Sequence, residues 1–119
     1  MAIESNITQE LGWHRFEHKY LDITVTDAAG DPVDLSAVDL RWLLLHHDVL
    51  LEKTSDVDGG IDVTGVDNNL ARIEVEADDY DSIPAGVFRH ELWDMTNELL
   101  LSFGTAWLND GAEPPVVVP

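Results

Sequence analysis

Apolar and polar positions alternate along most of this chain. Val38, Leu40, Trp42 and Leu44 alternate with Asp39, Arg41, Leu43 and Leu45, and Ala71, Ile73 and Val75 alternate with Arg72, Glu74 and Glu76. The same period of two sets Val87, Arg89, Glu91 and Trp93 against Phe88, His90 and Leu92. It also sets Leu99, Leu101, Phe103, Thr105 and Trp107 against Leu100, Ser102, Gly104 and Ala106. Alternation of this kind is the mark of half-buried strands. Turn residues separate the runs: Asp27 to Pro32, Asp58-Gly59-Gly60, Asp67-Asn68-Asn69, Ile83 to Gly86 and Met95 to Glu98. The pattern predicts strands at residues 15–26, 38–46, 49–53, 61–64, 70–76, 86–94 and 99–108. Short strands with frequent turns imply an all-β fold, an antiparallel immunoglobulin-like β-sandwich of about seven strands. A short helix is expected near Asn6 to Gly12, with Asn6 as its cap and Gly12 as its end, and one helical turn near Asp78 to Ser82. Residues 1–14 then form an N-terminal arm, 15–109 the sandwich, and 110–119 an extended Pro-rich C-terminal arm holding three of the five prolines.

Composition narrows the function. The chain has 119 residues, of which 45% are apolar, enough for a packed core in one domain. It lacks Cys, so thiolate metal and redox chemistry are excluded. The opening residues lack the basic and apolar regions of a signal peptide, and no run approaches the ~20 apolar residues of a membrane span. There are 24 Asp and Glu against 6 Lys and Arg, a formal net charge of −18. That balance argues against nucleic acid and against anionic membrane surfaces as partners. Spread over roughly 6,400 Å², it is about one net charge per 350 Å². Such an excess of acids with few lysines fits a protein working in molar salt, where the Debye length falls to about 3 Å and repulsion between carboxylates is suppressed.

So many acids invite a search for a site. The stretch Asp56 to Asp67 has acids at positions 1, 3, 7 and 12 of an EF-hand-like loop, but Gly at 5, Ile at 6 and Asp at 12. The loop requires an oxygen ligand at 5, Gly at 6 and a bidentate Glu at 12, so the match fails. Asp27 and Asp31 flank Gly30 in a turn, Asp34 caps the bend that follows, and Asp39 faces water; all four read as turn chemistry and solvated surface. His14 and His18 are four apart, but on a strand they stand about 13 Å apart on one face. The adjacent His46 and His47 face opposite sides, and His90 stands alone. No zinc-ligand spacing, nucleophile motif or phosphate-binding loop is present, and Ser102 lies among apolar neighbours. The expectation is no catalytic residue, no metal, no cofactor and no enzyme.

The apolar residues offer more. Trp42, Trp93 and Trp107 fall at apolar phase and are expected in the core. Trp13, in the arm, either anchors a contact with another subunit or packs on its own domain. Leu43 and Leu45 stand opposite Leu40, Trp42 and Leu44, so this strand is either covered on both faces or presents a patch to a partner. Val116, Val117 and Val118 either tuck along their own sheet or reach a neighbour as an added strand. The candidate interface residues are therefore Trp13, Leu43, Leu45, Val116, Val117 and Val118.

The order of these segments resembles the domain at the N-terminus of tailed-phage baseplate upper proteins, also found as small free-standing proteins in tailed-virus genomes. The resemblance runs over residues 16–110. It rests on Asp27, Gly30, Pro32, Val33, Asp34, Leu35, Ser36 and Ala37 after the first strand, and on Pro84, Gly86, Phe88, Glu91 and the Trp93-Asp94 turn. The family's usual Gly between Ser36 and Ala37 is absent, and so is the long C-terminal region of full baseplate proteins. The resemblance implies a β-sandwich module that docks to other virion proteins and carries no catalytic residues. With the composition, the expectation is a structural virion protein of a halophilic tailed virus, from an archaeal host. It would sit in the tail or baseplate or on the capsid surface, as a homo-oligomer within the particle and without nucleic-acid or membrane contact. A receptor- or glycan-binding module on the virion surface is the alternative, and exposed aromatics in the loops would favour it.

Overall fold

The computed structural model describes residues 7–8 and 10–109. Nine strands lie among the described residues: β1 (Ile7–Thr8), β2 (Leu11–His14), β3 (Lys19–Thr24), β4 (Leu40–His46), β5 (Asp48–Thr54), β6 (Ile61–Thr64), β7 (Leu70–Val75), β8 (Gly86–Asp94) and β9 (Leu99–Asn109). A 3₁₀ turn, η1 (Ala77–Tyr80), precedes β8. The larger sheet runs β1-β9-β8-β4-β5, with β2 also on β9, and the smaller runs β3-β7-β6. The chain crosses between the sheets four times, after β2, β3, β5 and β7. The result is the β-sandwich expected from the alternation, with nine strands in place of seven.

The core lies between the sheets. Alternation on β3 and β7 turns Leu21, Ile23, Ala71, Ile73 and Val75 inward, and β4 supplies Leu40, Trp42 and Leu44. On β9 the inward residues Ser102 and Ala106 are small. Small groups there leave room for the Trp42 indole and the Phe88 ring, so facing layers interdigitate at crystal-like density. His90 and Ser102 are buried on the same inner face. Bulges at Leu44/Leu45 and Leu92/Trp93 shift the pairing of β4 with β5 and of β8 with β9. Such bulges raise the local twist.

The N-terminal segment differs from expectation. No helix forms over 6–12 among the described residues; β1 and β2 run parallel to β9 instead. The sequence Leu-Gly-Trp-His alternates buried and exposed, so Leu11 and Trp13 enter the core and the sandwich extends back to Leu11. A helix here would give up these backbone bonds to β9 and the two apolar anchors. The expected strand 15–26 is shorter, because Phe16 takes a positive φ of 68° in the turn that leads to β3. The helical turn expected at 78–82 is η1, one residue earlier, where Asp79 Oδ2 accepts the Glu76 N–H at 2.7 Å.

One end of the sandwich is closed through η1. The Trp13 indole N–H donates to the Tyr80 hydroxyl at 2.7 Å, and that hydroxyl donates to the Glu17 carbonyl at 2.6 Å. On the other side of η1, Lys53 Nζ on β5 reaches Asp79 Oδ2 at 2.7 Å. Burial pushes the Tyr80 phenol up to about 12, against a smaller opposing effect of the Trp13 hydrogen bond. Tyr80→Phe strands a buried donor and a carbonyl, each worth about 1–3 kcal/mol, so we expect a loss of about 2–4 kcal/mol in urea denaturation. The phenol's folded pKa lies above its unfolded value. Its contribution is therefore complete below pH ~10, where both states are neutral, and is lost as pH rises from ~10 toward 12. Wild type should lose stability over that window, and Tyr80→Phe should lack this part of the alkaline limb.

Candidate functional site

Asp27 and Asp34 prove to be turn chemistry, and Asp39 surface. Asp27 Oδ1 accepts the N–H groups of Ala29 and Asp31, both at 2.9 Å, closing the small hairpin around Gly30. Asp34 Oδ1 accepts both the N–H and the hydroxyl of Ser36, at 2.8 and 2.6 Å, and these bonds hold its carboxyl below the usual range. Asp39 is exposed, with its N–H donating to the Thr96 hydroxyl at 2.9 Å. Buried Asp94 accepts from the Asn97 backbone and side chain at 3.0 and 2.8 Å and fixes the β8–β9 turn. Among the described residues, no group of three or more His, Asp and Glu side chains is placed to hold a metal ion.

The histidines are dispersed. His14 ends β2, His18 pairs with Glu74 at 2.7 Å beside β3, and His46 stacks edge-on with His47 and Phe88 at the β4–β5 turn. His90 is in the core near the Trp42 ring. Ser102 is buried on β9 and out of reach of a substrate. An open depression of about 330 Å³ at the end of the sandwich is lined by Ser36, Asp39, Ser55 and Asp62 among others.

The two outer faces of the sandwich differ sharply in chemistry. The smaller sheet shows water Asp22, Glu74, Asp62 and Arg72, with Arg72 bidentate on Asp22 at 2.8 and 3.1 Å. Tyr20 also lies there and reaches Glu74 at 3.3 Å. The larger sheet shows water a face of a different kind. In register across β5, β4, β8 and β9, one row reads Glu52, Leu43, Glu91, Phe103, and the next reads Val49, Leu45, Arg89, Thr105. Val87 and Trp107 form the row beyond, and Arg41 and Trp93 the row before. Val87 is 57% exposed, Val49 48% and Trp107 38%.

The charges on this face balance. Arg41 pairs with Glu52, and Arg89 Nε reaches Glu91 Oε2 at 2.6 Å while its guanidinium lies 4.6 Å over the Phe103 ring. The Trp93 indole N–H donates to Glu91 Oε1 at 3.0 Å. Burial pulls the Glu91 carboxyl up, but the bonds from Arg89 and Trp93 outweigh it and leave the pKa below the usual range. Two arginines thus meet two glutamates on the strands of this face, in a chain whose formal net charge is −18.

The candidate interface residues separate accordingly. Trp13 is only 3% exposed and packs in its own core, bonded to Tyr80, so it is corrected from an interface anchor to a structural residue. Leu43 and Leu45 do lie on the outer face; Leu43 is 9% exposed, between Glu52 and Glu91 in register, and Leu45 is half-buried. Val116, Val117 and Val118 lie outside the described residues. Of the strand tryptophans expected inside, Trp42 is in the core, whereas Trp93 and Trp107 are on the outer face. The signal was present: Trp93 shares its phase with Arg89 and Glu91, and in a half-buried strand the phase that carries the charges faces water.

Neither a protein-family model nor a curated protein matches the chain.

Truncation should separate surface from core. Trp42→Ala is expected to cost about 3–5 kcal/mol in urea denaturation. Trp107→Ser is expected to cost under about 1 kcal/mol despite the loss of an indole, since it lies at the solvated side of β9.

Proposed function

We propose that this chain is a non-catalytic assembly module of a tailed virus of a salt-loving host, acting through contacts with other virion proteins. The observation that carries this reading is the outer face of the larger sheet, where exposed Val49, Val87 and Trp107 sit among balanced charges on a chain with a formal net charge of −18. Aromatic residues and Arg, both present on this face, are enriched at interface centres. The turn and strand residues shared with the baseplate-protein domain, Asp27 to Ala37 and Pro84 to Asp94, give the reading its viral context. A place in the tail or baseplate, or on the capsid surface, follows from that resemblance, with assembly in the host cytoplasm at high salt.

Exposed aromatics in the loops would favour the receptor- or glycan-binding alternative. Tyr80, beside the turn before β8, is instead buried and bonded to Trp13 and Glu17. The geometry favours docking through a sheet face over ligand capture in loops.

Co-expression with the products of adjacent genes tests the assembly reading. We expect stoichiometric co-purification with a portal, capsid or tail protein, and recovery with none of them would overturn it. The salt argument is tested separately by the thermal midpoint in dilute and molar KCl. The midpoint should rise with salt as repulsion among the acids is screened; a midpoint as high in dilute buffer would remove the halophilic part.

A further inference from the structure

We infer that the outer face of the larger sheet is the seat of a second copy of this chain, packed sheet on sheet about a two-fold axis. This rests on the reading of the chain as an assembly module and names the face and the partner. Three observations carry it. The first is apolar exposure: Val49, Val87 and Trp107 are open to water on this face, whereas the strands of the smaller sheet present mainly Asp, Glu, Arg and Thr. Joining two such faces at the ~10 Å spacing of stacked sheets removes this apolar surface from water.

The second observation is charge. Two copies that met through most of their surface would press carboxylates against carboxylates, since each has a formal net charge of −18. The face with Arg41–Glu52 and Arg89–Glu91 carries both signs in equal number. A two-fold interface brings the same patch against itself, so it needs a patch that holds both halves of each polar contact. This face meets that condition: an Arg of one copy can lie opposite a Glu of the other. A basic partner would be drawn instead to the acid-rich remainder of the surface, because this face offers it no net charge.

The third observation is size. Four strands at ~4.8 Å spacing and about seven residues at ~3.3 Å give a footprint of roughly 19 by 23 Å, or about 440 Å² in projection. Side-chain relief carries the accessible area toward the roughly 800 Å² per partner of a stable interface. The general repulsion between two acidic bodies remains, and salt screens it. Association therefore strengthens with KCl, opposite to a contact made by exposed ion pairs alone.

Sedimentation of the purified full chain in dilute and molar KCl tests this, with circular dichroism as the check on folding. A two-chain species in molar KCl is expected. Val87→Glu and Trp107→Glu should each weaken it at least about tenfold, and Tyr20→Ser on the opposite face should leave it unchanged. Trp107 fluorescence should be shielded from acrylamide in the dimer and quenched in Trp107-containing monomer, read against Trp107→Phe. A single-chain species at every salt concentration would overturn the inference. So would an oligomer indifferent to folded Val87→Glu and Trp107→Glu, which would place the contact on another surface. The co-purification above is read independently: a monomer that co-purifies with a virion protein refutes the two-fold face and leaves the assembly reading intact, and a dimer that co-purifies with none does the reverse.

Discussion

The hydroxyl of Tyr80 holds two crossings of the sandwich together. It accepts from Trp13 on β2 and donates to Glu17, in the segment that carries the chain from the larger sheet to the smaller. Tyr80 itself ends η1, in the segment that carries the chain back. The neighbouring Asp79 binds Lys53 of β5, so η1 is tied to both margins of the larger sheet. A sandwich is held mainly by non-directional apolar contact between its layers, which resists separation better than sliding. Directional bonds at a closed end fix the relative position of the layers. These bonds also explain why β2 can lie parallel to β9 at a sheet margin although the pairing is local to four residues: Trp13 is held from both the core side and its ring nitrogen.

A second constraint is electrostatic. With so few cations, their placement is informative. Lys53 is spent on η1, and Arg72 and the Asp22 pair lie on the smaller sheet. Arg41 and Arg89, half of the four arginines, stand together on the outer face of the larger sheet. There they do two things. They neutralise Glu52 and Glu91, and their aliphatic stems extend along a face that also holds Leu43, Phe103 and Trp107. Elsewhere the acids keep the molecule hydrated and apart from its neighbours, and this face lacks that guard. The asymmetry between the two outer faces is the feature on which the proposed assembly role rests.

Much of this architecture was legible in the sequence, because a strand's period is a local property. The runs at 61–64 and 86–94 match β6 and β8, and the acidic turns at Asp27 and Asp34 follow from the reach of a carboxylate to the backbone two residues on. Excluding the EF-hand pattern needed only positions 5, 6 and 12 of one loop. Local chemistry of this kind determines strand, turn and the β-class of the fold. Three things required the tertiary structure. Period two separates two faces but does not say which is inside: Trp93 shares its phase on β8 with Arg89 and Glu91, whereas Trp107 shares its phase on β9 with the uncharged Phe103 and Thr105, and only its pairing with Val87 in the sheet puts it outside. The parallel pairing of β1 and β2 with β9 joins residues 95 apart, and no local propensity encodes a partner at that distance. The neutral apolar face arises only when β5, β4, β8 and β9 are set in register, since its Arg, Glu and aromatic residues come from four separate segments. Sequence alone determined what each strand could present; the order of strands in the sheet decided what they present together.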